Sequence, residues 1–168
     1  MKRVTACLLV ALLLLTACGQ TASSPPAVLS TGFSCAADVT YRERAFGISL
    51  TRPGPGICTI DFLSPETMNG MRVEFEGETM NLTYRGLTLS KDTDDSFRVG
   101  FASVLTAVLD SACRADPASI KERGESLLLE GTTEYGEYTI TAQPDGSLTA
   151  IEVPGEELTL TLREFQAA

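Results

Sequence analysis

Residues 71–89 read Met71-Arg72-Val73-Glu74-Phe75-Glu76-Gly77-Glu78-Thr79-Met80-Asn81-Leu82-Thr83-Tyr84-Arg85-Gly86-Leu87-Thr88-Leu89. Apolar and polar residues alternate without a break on either side of Gly77-Glu78, and the chain turns again at Arg85-Gly86. Successive side chains of a strand point to opposite faces, so a period of two argues strands with one buried face. Connections of two residues argue antiparallel hairpins, because parallel strands need long crossovers.

The pattern extends in both directions. Upstream, Phe33, Cys35, Ala37, Val39 and Tyr41 alternate, Arg42-Glu43-Arg44 makes a polar turn, and Phe46, Ile48 and Leu50 alternate again. Pro53-Gly54-Pro55-Gly56 then breaks the chain before Cys58, Ile60 and Phe62, which lead into a loop at Ser64-Pro65. Downstream, the spacing of Phe97, Phe101, Val104, Leu105, Val108 and Ala112 predicts an amphipathic helix over 97–113. Asp92, Asp94, Asp95 and Ser96 stand before it, where free N–H groups and the helix dipole favour them, and Asp116-Pro117 marks its end region. Strands return at Leu127–Glu130, Glu137–Gln143, Ser147–Val153 and from Leu158 onward, with turns at Pro144-Asp145-Gly146 and Pro154-Gly155. The class is α+β, with about ten strands in a mostly antiparallel sheet and one main helix.

One helix of about 17 residues spans only ~25 Å. It covers part of the apolar face of such a sheet, so the sheet must curl or leave an apolar groove. The residues that would line a groove are Phe46, Ile48, Leu50, Ile60, Phe62, Val73, Phe75, Met80, Leu82 and Tyr84 from the strands, with Phe97, Phe101 and Leu105 from the helix.

The first residues belong to targeting, not to the fold. Lys2 and Arg3 precede an apolar run from Val4 to Leu15, shorter than the ~20 residues of a membrane span. The run ends in Leu15-Thr16-Ala17-Cys18. A large aliphatic residue, two small residues and a Cys resemble the lipobox of bacterial lipoproteins. The resemblance implies a signal peptide over 1–17, cleavage before Cys18 and a lipid on its thiol. Residues 18–31, rich in Ser, Ala, Pro and Thr, would form a flexible tether, and 32–168 the domain. Two or more acyl chains anchor a protein stably, at about 0.8 kcal/mol per buried CH2. The expected location is the extracytoplasmic face of the bacterial cell membrane.

Composition excludes several functions. The formal charge is −9, and −11 once Lys2 and Arg3 are removed, which argues against nucleic acid as a partner and against flat binding to anionic headgroups. His is absent, and beyond the signal segment Lys91, read as part of a polar loop, and Lys121, read as preceding a strand, are the lysines. No nucleophile–base pair, phosphate-binding Gly loop or EF-hand order appears, so no enzyme, cofactor or metal is expected. Cys35, Cys58 and Cys113 lack the C-x-x-C spacing and read as small buried hydrophobes.

Three stretches, taken in order, resemble the LolA-type lipoprotein-carrier superfamily. They are Gly47–Gly54 running on through Ile60–Pro65, then Val73–Leu82, and finally Tyr138–Phe165 with Pro144-Asp145-Gly146 inside it. The resemblance implies a half-barrel sheet with helical structure on its concave apolar side, and a role in carrying or sensing acyl chains. Lipid-tethered relatives of that family include mycobacterial lipoproteins that move glycolipids and a spore-germination lipoprotein of clostridia. The implied partners are the membrane through Cys18, a lipid or lipoprotein ligand, or an envelope protein. The chain departs from the family in having no helix before its first strand and no evident Arg buried under a helical lid. A lipid anchor would also prevent it from shuttling between two membranes.

Overall fold

The computed structural model describes residues 32–92, 100–116 and 119–168. Cys18, the signal segment and the tether lie outside these residues, as do Phe97 and the acids at 94 and 95. No described helix is long and apolar enough to cross a membrane.

Eleven strands form one antiparallel sheet. They are β1 (Phe33–Tyr41), β2 (Arg44–Gly54), β3 (Ile57–Ser64), β4 (Arg72–Glu76), β5 (Thr79–Tyr84) and β6 (Leu87–Asp92), then β7 (Ile120–Arg123), β8 (Ser126–Thr133), β9 (Gly136–Ala142), β10 (Leu148–Val153) and β11 (Leu158–Ala167). Helix α1 (Gly100–Cys113) stands between β6 and β7. The order across the sheet is β6-β5-β4-β3-β2-β1-β11-β10-β9-β8-β7, two meanders joined where the first strand pairs with the last. Phe33 stacks on Phe165 at that join, with ring centroids 5.1 Å apart.

Alternation predicted this pairing well because the inward rows are continuous from strand to strand. Val39, Phe46, Ile48, Leu50, Ile60, Val73, Leu82 and Leu89 share a face through their cross-strand partners. One strand more than expected is present. β7 has Ile120 followed by Lys121, Glu122 and Arg123, so its sequence has no apolar alternation to read. Lys91 sits within β6 instead of a loop, and Lys121 within β7 instead of before a strand. These are the two edge strands, where a lysine discourages pairing with another chain.

The sheet curls round the helix. Helix α1 packs against β8, and Asp110 and Ser111 near its C-terminus reach β2 and β9. Strands β2 and β8 are five steps apart in the sheet order, about 24 Å if flat, while a helix with its side chains is about 10–12 Å across. None of residues 101–113 is exposed. Phe101, Ala102, Val104, Leu105, Val108, Leu109 and Ala112 are buried, an arc of about 160° on the wheel, wider than a helix needs against a flat layer. The Tyr138 ring lies over Gly131, its partner on β8, where a Cβ would fall 2.3 Å from the hydroxyl. That close approach brings the Tyr138 hydroxyl to Ser111 Oγ at 3.2 Å and fixes the helix to β9.

Candidate functional site

The trough has a closed end and an open end, both defined by β2. Its inward row is Arg44, Phe46, Ile48, Leu50 and Arg52.

At the closed end Arg52 is 1% exposed. Its guanidinium donates to Asp110 Oδ1 of α1 at 2.6 Å, to Cys113 Sγ at 3.1 Å and to the Gly54 carbonyl. The Gly56 N–H donates to the same Asp110 oxygen at 3.0 Å. A buried arginine is thus held under the helix, contrary to the expectation that the chain has none. The reason is register. The row from Phe46 to Leu50 continues inward to Arg52, the residue before Pro53, where the proline suggests that the strand has ended. A cation beside the last turn of a helix also suits its dipole. Among the described residues Cys35, Cys58 and Cys113 form no disulfide, and Cys35 and Cys58 are buried. Burial pushes both thiols up to about 12, helped at Cys35 by the neighbouring Cys58 and opposed at Cys58 by a hydrogen bond with Thr106 and by Arg52. Burial also raises Cys113, against the pull of Arg52.

At the open end lies a cleft of about 470 Å³, within the range of small-molecule sites. Its apolar wall is Phe46, Phe62 and Val73 from the strands, Met68 and Met71 from the loop between β3 and β4, and Phe101 from the helix. Tyr41, Arg42, Arg44 and Gly100 complete the lining. Phe101 is the hub, with ring centroids 5.3 Å from Phe46, 5.6 Å from Phe62 and 6.1 Å from Tyr41. Rings at these separations attract in tilted geometries, and flexible methionines adapt to varied apolar shapes.

The residues expected to line a groove divide three ways. Phe46, Phe62, Val73 and Phe101 meet at the cleft. Ile48, Leu50, Ile60, Phe75, Met80 and Leu105 are buried in the core between helix and sheet. Leu82 and Tyr84 are half-buried on β5, next to the exposed Leu87 and Leu89 of β6, and the Tyr84 hydroxyl donates to the Thr67 carbonyl. Reading the sequence missed Tyr41, Arg42, Arg44, Met68, Met71 and Gly100 as cleft residues. Arg44 carried a usable signal, since it stands two residues before Phe46 and so shares its face.

No protein-family model matches this sequence, and no curated protein matches it. Solved structures do. An uncharacterized conserved protein from Thermus thermophilus superposes with a TM-score of 0.52 at 13% identity, over 86% of this chain and 83% of that one. A chain in the structure of the CwlD amidase from Clostridioides difficile in complex with the GerS lipoprotein gives 0.52 at 15% identity, over 82% and 87%. The LolA superfamily protein NE2245 from Nitrosomonas europaea aligns over 89% and 93% at 9% identity, with a lower TM-score of 0.45. The likeness is one of fold.

Proposed function

We propose that this protein is a membrane-anchored extracytoplasmic lipoprotein whose domain binds an acyl chain or lipid without covalent chemistry. The observation that carries the reading is the apolar cleft at the open end of α1, walled by Phe46, Phe62, Met68, Met71, Val73 and Phe101. The sequence Leu15-Thr16-Ala17-Cys18 supports the anchor, and the absence of His supports binding over catalysis. Protein purified from its own host is expected to release a co-purified lipid in mass spectrometry, and the emptied protein to take up a fluorescent fatty acid. Repeated absence of both results would overturn the reading. Cys18→Ala is expected to move the protein from the membrane to the soluble fraction.

A second reading is a lipid-tethered interaction subunit of an envelope or sporulation complex. Two observations favour it. Leu87 is 78% exposed and Leu89 50%, both on an edge strand. A protein of similar fold belongs to a structure of an amidase in complex with a lipoprotein. In that case the protein takes up no fatty acid, and Leu87→Ser with Leu89→Ser would abolish recovery of a cross-linked envelope protein while leaving the melting curve of the domain unchanged.

A further inference from the structure

The cleft is apolar inside but not at its mouth, where the hairpin between β1 and β2 brings two arginines. Arg42 and Glu43 occupy the two turn positions with φ of 47° and 63°. Such turns ordinarily take Asn or Gly there, because a Cβ is strained at positive φ. Strain of this kind persists where the surroundings hold it, and it collects at functional sites. Here the holding is visible. The Arg42 guanidinium donates to Glu156 Oε2 at 2.7 Å and lies 4.9 Å over the Tyr41 ring, and its N–H donates to the Glu157 carbonyl at 3.2 Å. Arg42 is therefore fixed and largely neutralised.

Arg44 is different. It pairs across the hairpin with Tyr41, stands on the inward face two residues before Phe46, and lines the cleft. It is exposed and makes no ion pair among the described residues. A protein with a formal charge of −9 thus places at the rim of its apolar cleft, against its overall field, a cation that no acid among the described residues pairs.

Resting on the acyl-binding reading above, we infer that the cleft selects single acyl chains bearing an anionic headgroup, with the tail against Phe46, Phe62 and Phe101 and the headgroup on Arg44. A guanidinium meets a carboxylate or a phosphate with two parallel hydrogen bonds, so both headgroups fit its chemistry. A neutral headgroup of the same chain length would leave that charge unanswered.

The test is calorimetric titration of the full chain carrying Cys18→Ala with dodecanoate, dodecyl phosphate and dodecanol. Both anions, or one of them, should bind at least about tenfold more tightly than the alcohol. A preference for one anion identifies the headgroup as carboxylate or phosphate. Arg44→Gln should remove the preference by lowering the affinity for the anions toward that for dodecanol, and Arg44→Lys should retain part of it. Far-ultraviolet dichroism and a melting curve confirm that each variant is folded. Equal affinity for anions and alcohol, or a preference that survives Arg44→Gln, overturns the headgroup inference and leaves the acyl cleft standing. Failure of all three ligands to bind overturns the acyl-binding reading, and the inference with it.

Discussion

Arg44 and Arg52 open and close the same inward row of β2, eight residues apart on one face, yet one is exposed at a cleft and the other sealed beneath a helix. Both are arginines on the inward face of one strand, in regular register with β1. What differs is what lies opposite. Asp110 and the last turn of α1 meet Arg52, so its charge is answered within the protein. Phe101 and Gly100 line the cleft with Arg44, which makes no ion pair among the described residues. The same residue type therefore serves as a structural pin at one end and, in the role inferred above, as a headgroup contact at the other.

Replacing each arginine by methionine, which keeps an unbranched apolar stem, sets the comparison at its widest. Arg52→Met leaves Asp110 without its partner, and removing one member of a buried pair costs about 3–5 kcal/mol. Asp110 keeps a quarter of its side-chain exposure and can regain water, so the lower figure, about 3 kcal/mol, is expected in urea unfolding. Arg44→Met should change stability by less than about 0.5 kcal/mol, as surface substitutions do. Equal losses at both sites would dissolve the distinction between the ends.

The dryness of the closed end can be read from its thiols. Cys35 and Cys58 hold their protons in the folded state to about 12, against an ordinary thiol value of 9.0. Between those limits the unfolded chain has lost protons that the folded one retains, so stability falls as pH rises. The loss should begin near pH 9 and approach at most about 1.4 kcal/mol per pH unit for each thiol. Cys35→Ala should flatten the profile measured by urea unfolding from pH 8 to 11. At neutral pH a thiol reagent should label Cys113, which is only half-buried, before either of the others. A flat profile in the parent protein would mean that water reaches the closed end.

The smallest effect belongs to the open end. Glu43→Gly releases the strain of a φ of 63° at the cost of some unfolded-state entropy, for a net gain of about 0.5 kcal/mol in chemical denaturation. A loss of stability would mean that Glu43 makes an interaction at the mouth that outweighs its strained backbone.

Most of the fold was legible in the sequence because a half-buried strand writes its inward face into every second position. The hairpin at Gly77-Glu78, the turn at Arg85-Gly86 and the closing meander from Glu137 onward follow from that alternation alone. β7 was not legible, since an edge strand with a single apolar residue has no inward face to declare. The site was less legible than the fold. Alternation tells which face a residue takes but not how far along the trough the helix lies. Ile48 and Leu50 are therefore core, while Phe46, in the same row, borders the cleft. The two arginines illustrate the same limit from the polar side. Arg44 looked like part of a turn and Arg52 like the lead-in to a break, and only the position of α1 gives each its surroundings.

The placement of β1 has a geometric consequence for a tethered molecule. The described chain begins at Gly32, whose carbonyl accepts from the Ala168 N–H and which has no room for a Cβ against the Pro53 carbonyl. In the proposed lipid-anchored molecule the tether would join the domain beside the sealed end, where Phe33 pairs with Arg52. The nine residues of β1 then carry the chain to Tyr41 at the aperture, about 27 Å away. On the proposed anchor and ligand, the point of entry and the aperture would lie at opposite ends of β1, so a ligand drawn from the home membrane would require the domain to tip over, whereas one arriving from outside would meet the aperture directly.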